Sequence, residues 1–148
     1  MTMKIGEKGL KLIKSYEGYR AHAYLDTGKV PTIGYGTTRG VKMGQVTNEV
    51  EATAFLVRDV QEAERTVNRK VTVKLTQDQF DALVCFVYNI GAKQFNSSTL
   101  LKLLNQGHYD QVDDQLVRWN KDNGRVVDGL TRRRVAEGVL FTSGRVQL

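Results

Sequence analysis

Apolar residues recur along this chain at two different periods, and the switch between them divides it. Ile5, Leu12, Ile13 and Tyr16 share one face at helical spacing, which predicts a short amphipathic helix over residues 5–16. Gly6 and Gly9 weaken its start, Glu17 falls at its end, and Gly18 is a natural stop signal. From Ala21 to about Met43 the helical period is lost. Ala23-Tyr24-Leu25 and Val30-Pro31-Thr32-Ile33 flank the turn signal Asp26-Thr27-Gly28-Lys29, and Gly34, Gly36, Gly40 and Gly44 follow closely. This predicts a small antiparallel sheet of three strands, with Pro31 suited to the first residue of an edge strand.

The helical period returns at Thr47-Asn48-Glu49. Val50, Ala54, Val57, Val60, Ala63 and Val67 then predict one long connecting helix, with Glu49 and Glu51 near its positive end. Thr76-Gln77-Asp78-Gln79 is a capping box ahead of Phe80, Leu83, Val84 and Val87, and Gly91 closes that helix. Further helices are expected over 98–106, 109–119 and 131–141, with Lys121-Asp122-Asn123-Gly124 as a loop. The fold class is therefore α+β, mostly α, in two lobes. A three-stranded β-sheet lobe spans about 18–46, the connecting helix 47–68, and a helical lobe 69–148 together with 1–17. The first helix joins the helical lobe because three strands alone make a poor core.

At 148 residues the chain is one typical domain, large enough for a real core. Its longest apolar run, Ala82 to Tyr88, is far short of the ~20 residues that a membrane helix needs. No secretory signal is visible, so accumulation in the cytoplasm of the producing cell is expected. Cys85 is the only cysteine and lies inside a helical pattern, which makes it a core residue and excludes an internal disulfide. His22 and His108 lack ligand spacing and are expected at the surface; no metal and no cofactor are called for. A net charge of +6 asks for an anionic partner. Nucleic acid is not favoured, because zinc-finger spacing, an aromatic-rich basic strand and a helix-turn-helix are all missing. Arg132-Arg133-Arg134 reads either as a solvated basic helix start or as a run from which one arginine pairs with Glu17. It could serve an anionic membrane surface, although a packed helix explains the pattern equally. Nothing resembles a coiled coil or an exposed apolar seam, so a monomer is expected.

The chemistry concentrates in one stretch. Glu17, Asp26 and Thr32 precede Ile33-Gly34-Tyr35-Gly36 within twenty residues. Glycosidic cleavage needs one carboxylic acid to protonate the departing oxygen and a second carboxylate to steady positive charge or activate water. A neighbouring hydroxyl can orient that water. Glu17 is also electrostatically out of place, since a helix C-terminus disfavours a carboxylate. Taken singly, each residue has a plainer reading: a solvated helix end, a turn residue and a branched strand residue.

Together, Glu17-Gly18, Ala23-Tyr24, Asp26 and Thr32-Ile33-Gly34-Tyr35-Gly36-Thr37 resemble the phage lysozymes, or endolysins, of glycoside hydrolase family 24. Asn89-Ile90-Gly91, Ser97-Ser98-Thr99-Leu100, Arg118-Trp119 and Gly129-Leu130 through Arg133-Arg134 and Glu137 extend the likeness over nearly the whole chain. The resemblance implies a lysozyme-like fold and hydrolysis of the bond between N-acetylmuramic acid and N-acetylglucosamine in bacterial peptidoglycan. Glu17 would be the general acid, Asp26 the ionised partner, and Thr32 the residue that holds the attacking water. Tyr35, Thr38, Tyr88, Asn89, Thr99 and Gln115 are the candidate sugar contacts, and Trp119 is expected in the helical core. Thr37 departs from the pattern, where many members carry a histidine, and so removes an ion pair. The resemblance further implies a separate holin, and a route from the host cytoplasm to the cell wall in the periplasm. A lytic transglycosylase, or a non-catalytic wall or nucleic-acid binder on the same fold, are the competing readings.

Overall fold

The computed structural model describes residues 2–148. Its internal contacts divide the chain into two compact units, Ile13–Gln61 and, from two separated stretches, Met1–Leu12 with Glu62–Leu148.

Helix α1 runs from Glu7 to Glu17. Gly18 ends it at φ +73°, where its N–H still closes onto the Lys14 carbonyl at 3.0 Å. In the shorter unit, β1 (Arg20–Leu25) and β2 (Pro31–Gly34) pair antiparallel, with Tyr24 opposite Thr32 and Leu25 opposite Pro31. The third strand expected beside them does not form. Residues 45–47 join β1 through a single bridge, His22 to Val46, flanked by Ala23 N–H donating to Gln45 O and Thr47 N–H to Ala21 O. Gly40 and Gly44, at φ +73° and +93°, turn the intervening chain out of the extended conformation a strand needs.

The long connecting helix is likewise two segments, α2 (Glu49–Asp59) and α3 (Gln61–Lys70), separated at Val60. Asn48 caps α2 by accepting from the Glu51 N–H. The expected apolar stripe holds only in its second half. Val60, Ala63 and Val67 are buried, but Val50 is 82% exposed and Val57 42% exposed, while Ala52 and Leu56 face inward. The reason is close packing: a Cβ built on Gly34 would stand 2.9 Å from that of Ala52, so a small residue must meet β2.

The larger unit is built on α4 (Gln77–Ile90), which has its capping box between Thr76 and Gln79 and eight consecutive buried residues from Phe80 to Val87. Around it lie α5 (Ala92–Asn96), α6 (Thr99–Asn105), a 3-10 turn over Tyr109–Gln111, α7 (Val112–Val117) and α8 (Asp128–Ser143). The expected loop at 121–124 is instead a hairpin of β3 (Lys121–Asp122) and β4 (Arg125–Val126). Asn123 and Gly124 both have positive φ, at +51° and +77°, the requirement of the two-residue turn that Asn-Gly favours. The N-terminal stretch is stapled to α4 by Asp81, 1% exposed, whose carboxylate accepts from the backbone of Gly6 (2.9 Å) and Gly9 (3.0 Å) and from Gln77 Nε2 (2.8 Å). Gly9 is required here, since a Cβ would lie 2.9 Å from that of Asp81.

The arginine run is not a solvated helix start. Arg132 is exposed, but Arg133 and Arg134 are buried beside Glu137, which is 0% exposed. Arg133 Nε lies 3.3 Å from Glu137 Oε2, and its Nη2 donates to the Cys85 carbonyl at 3.2 Å. Arg134 Nη2 donates to Glu137 Oε2 (3.0 Å) and to Asn89 Oδ1 (2.9 Å), and its guanidinium covers the Phe86 ring at 4.9 Å. Burial pushes the Glu137 carboxyl above its ordinary range, and Arg134 and Arg133 pull it back. Two of the three arginines thus serve the core and are not available to a membrane surface. Glu137→Ala would strand two buried guanidinium groups and is expected to cost about 3–5 kcal/mol, read as a lowered urea midpoint.

Candidate active site

Glu17, Asp26 and Thr32 all fall in the shorter unit. Glu17 is the last residue of α1 and is half-buried. The turn after β2 passes directly behind it: a Cβ built on Gly36 would stand 3.1 Å from Glu17 Oε1. Gly36 has φ +89°, so both its backbone angle and its missing side chain are used. Ile33 and Thr37 exchange backbone hydrogen bonds at 2.9 Å across this turn and so fix its shape.

Asp26 follows β1. Its Oδ1 accepts from the Gly28 and Val30 N–H groups, both at 2.8 Å, and its own N–H donates to Val30 O at 3.1 Å. This local turn, closed by Lys29 at φ +61°, holds the carboxylate by one oxygen. Thr32 sits on β2 and is 4% exposed; its Oγ1 donates to Val30 O at 2.8 Å, which leaves the oxygen's lone pairs as acceptors. Val30 therefore links the two, its N–H on Asp26 and its carbonyl on Thr32.

Among the candidate sugar contacts, Tyr35 lies in this unit and is buried, at 8% exposed. Its hydroxyl donates to Glu49 Oε2, its ring tilts against Tyr19 with centroids 5.4 Å apart, and Lys14 Nζ stands 5.2 Å over it. Burial, and then the Glu49 carboxylate, push the Tyr35 phenol up to about 12. That same hydrogen bond pulls the Glu49 carboxyl below its ordinary value, with Lys14 adding to the effect. Thr38 is exposed in the following loop, and its carbonyl accepts from Val41 N–H. The other four lie in the larger unit. Tyr88 and Asn89 are on α4, where Asn89 is bonded to Arg134. Thr99 is exposed at the start of α6, and Gln115 is 8% exposed within α7. Trp119 packs edge-on to Phe86 at 5.9 Å. It also lines a groove of about 490 Å³ with Asn89, Gln94, Lys121 and Arg134.

Thr37, the departure from the family pattern, is buried at 1% and donates from Oγ1 to Asp59 Oδ2 at 2.7 Å. Arg58 holds the other Asp59 oxygen at 3.3 Å. A neutral hydrogen bond to a carboxylate therefore occupies this position.

This architecture matches solved structures over its full length. An endolysin from Escherichia coli O157:H7 phage FAHEc1 superposes with TM-score 0.93 at 34% identity, covering 100% of this chain and 99% of that one. The muramidase domain of SpmX from Asticaccaulis excentricus gives 0.89 at 37% identity, covering 95% and 98%. The fold is thus lysozyme-like. The phage lysozyme profile matches residues 14–137, and the chain belongs to that family. It is 44% identical over 145 residues to an endolysin of Bacillus phage B103, covering 96% of this chain but only 55% of that relative, so it spans about half of that protein's length.

Two measurements test this geometry. Thr37→Val keeps the shape but deprives Asp59 of a donor, and should cost about 1–2 kcal/mol in chemical denaturation. The Tyr35 phenol has a folded value above its unfolded 10.0, so its contribution to stability is complete below pH 10 and is lost as pH rises through about 12. An ultraviolet titration of the native protein should lose a late tyrosinate, near pH 12, in Tyr35→Phe.

Proposed function

We propose that this protein is a muramidase that hydrolyses the β-linkage between N-acetylmuramic acid and N-acetylglucosamine in bacterial peptidoglycan. The observation that carries this reading is the coupled placement of Asp26 and Thr32 through Val30, in the same unit as Glu17 at the end of α1. Glu17 protonates the leaving glycosidic oxygen. Asp26, its carboxylate held in place by the Gly28 and Val30 N–H groups, stabilises positive charge on the sugar and takes a proton from the attacking water. The lone pairs of Thr32 Oγ1 orient that water, and the displacement is single and inverting. The names of the relatives, endolysin and muramidase domain, point the same way.

A hydrolase of this kind acts on the cell wall as a monomer. No helix among the described residues is long and apolar enough to cross a membrane. Passage from the host cytoplasm to the wall is assigned, in this reading, to a separate holin. Thr38 in the shorter unit, and Tyr88, Asn89, Thr99 and Gln115 in the larger one, remain the candidate sugar contacts, each within its own unit. A transglycosylase would not use an oriented water, and Asp26 and Thr32 would then have no task.

The experiment is turbidity loss of outer-membrane-stripped Gram-negative walls, followed by mass spectrometry of the products. Wild type should lyse the walls and release reducing-end muramic acid, while Glu17→Gln should lose at least ~100-fold in rate without losing its fold. An anhydro-muramic product would replace hydrolysis with transglycosylation.

A further inference from the structure

Tyr35 sits two residues after Ile33 in a glycine-rich turn, a position where an exposed tyrosine could border a sugar ring. Its surroundings point elsewhere. The hydroxyl is spent on Glu49 Oε2 at the first turn of α2, and Glu49 Oε1 is held in turn by Lys14 Nζ at 3.4 Å and by the Thr53 hydroxyl at 3.2 Å. Lys14 is on α1, one turn before Glu17, and it also covers the Tyr35 ring. Tyr19, just beyond Glu17, closes the other side of that ring. The groups that meet Tyr35 therefore come from the end of α1, from the chain just past it and from the start of α2. The residue covalently next to Tyr35 is Gly36, which lies against the Glu17 carboxylate.

From this linkage we infer that Tyr35 is a positioning residue for Glu17: the Lys14–Glu49–Tyr35 brace fixes the Gly36 turn against the catalytic carboxylate. The inference rests on the proposed role of Glu17 as the general acid. The physical logic is one of over-determination. The Ile33–Thr37 hydrogen bonds close the ends of this turn, and between them Gly34 at φ +64° and Gly36 at φ +89° keep backbone freedom that neither glycine can restrict by itself. Pinning the intervening side chain at its far end to a charged acceptor removes that freedom. The acceptor is itself fixed by two further donors. Proton donation depends on placement to within a fraction of an ångström, and small displacements are costly in rate. Tyrosine suits the role because its phenol remains a neutral donor at any pH where such an enzyme works.

Two variants separate positioning from sugar contact. Tyr35→Phe keeps the ring and removes the donor, and Glu49→Gln keeps an acceptor oxygen but removes the charge. On soluble glycan chains released from peptidoglycan, each should lower kcat on the order of tenfold with KM unchanged. The double variant should be no worse than the poorer single one, since both break the same brace. The side-chain carboxyl resonance of Glu17, followed by NMR at one fixed pH, should move in both variants. A raised KM at unchanged kcat, additive losses in the double variant, or an unmoved Glu17 resonance would each overturn the brace. The NMR arm does not need turnover. A wild type that releases no reducing ends would therefore sink the hydrolase reading and leave the brace to be judged by the Glu17 resonance alone.

Discussion

The larger unit depends on keeping one carboxylate and two guanidinium groups out of water together. Glu137, Arg133 and Arg134 all lie on α8, yet their polar atoms reach α4 at the Cys85 carbonyl and at Asn89. Desolvating three charges is costly, and their attraction repays it only where hydrogen bonds are nearly complete. Here they are not quite complete. Arg134 Nε lies 2.7 Å from Glu137 Oε1 but off the hydrogen-bonding axis, and Arg134 Nη1 has no hydrogen-bond partner among the described residues. The Phe86 face under the guanidinium offsets part of that deficit. The same cluster keeps Cys85 inert, since burial and then Glu137 raise its thiol well above the ordinary value. What the cluster gives α8 is a fixed register against α4, and α4 carries Tyr88 and Asn89.

How much of this could be seen beforehand depended on whether the deciding interaction was local. Helix ends were legible wherever a cap or a glycine set them: Thr76 with Gln79, Gly18, Gly91 and the Ser98 cap of α6 are all used as their chemistry suggests. The Asp26 turn and Pro31 at the head of β2 were legible for the same reason. The joint spacing of Glu17, Asp26 and Thr32 was legible as a pattern, although the Val30 link between the last two was not. The hairpin at Asn123-Gly124 had a readable signal that was passed over, because strands of two residues leave no periodicity to accompany the turn.

Where tertiary packing decided the outcome, the pattern misled. Val50, Ala54 and Val57 keep perfect helical spacing, yet Val50 and Val57 are exposed, because Gly34 admits only a small neighbour and selects Ala52. Consecutive arginines read as surface because two like charges in sequence rarely enter a core; the partner that allows it, Glu137, is visible only as one helical turn of spacing. The Thr37 departure suggested a missing interaction, and Asp59 shows that a hydroxyl supplies a different one. In each case the residue types were in plain view, but what they would touch was not.

The ions in the core also bear on the charge this molecule presents to solvent. The buried charged residues are Arg133, Arg134, Glu137 and Asp81, two of each sign. Their removal from the surface leaves the full excess of six positive charges in contact with solvent. Long-range attraction to a polyanion is therefore undiminished by the charges spent on folding. That attraction is screened over roughly 8 Å at physiological ionic strength, so encounter with a polyanion should respond to salt even though the core does not. The buried cluster and the net surface charge therefore draw on separate residues, while exposed pairs such as Lys14–Glu49 belong to both tasks.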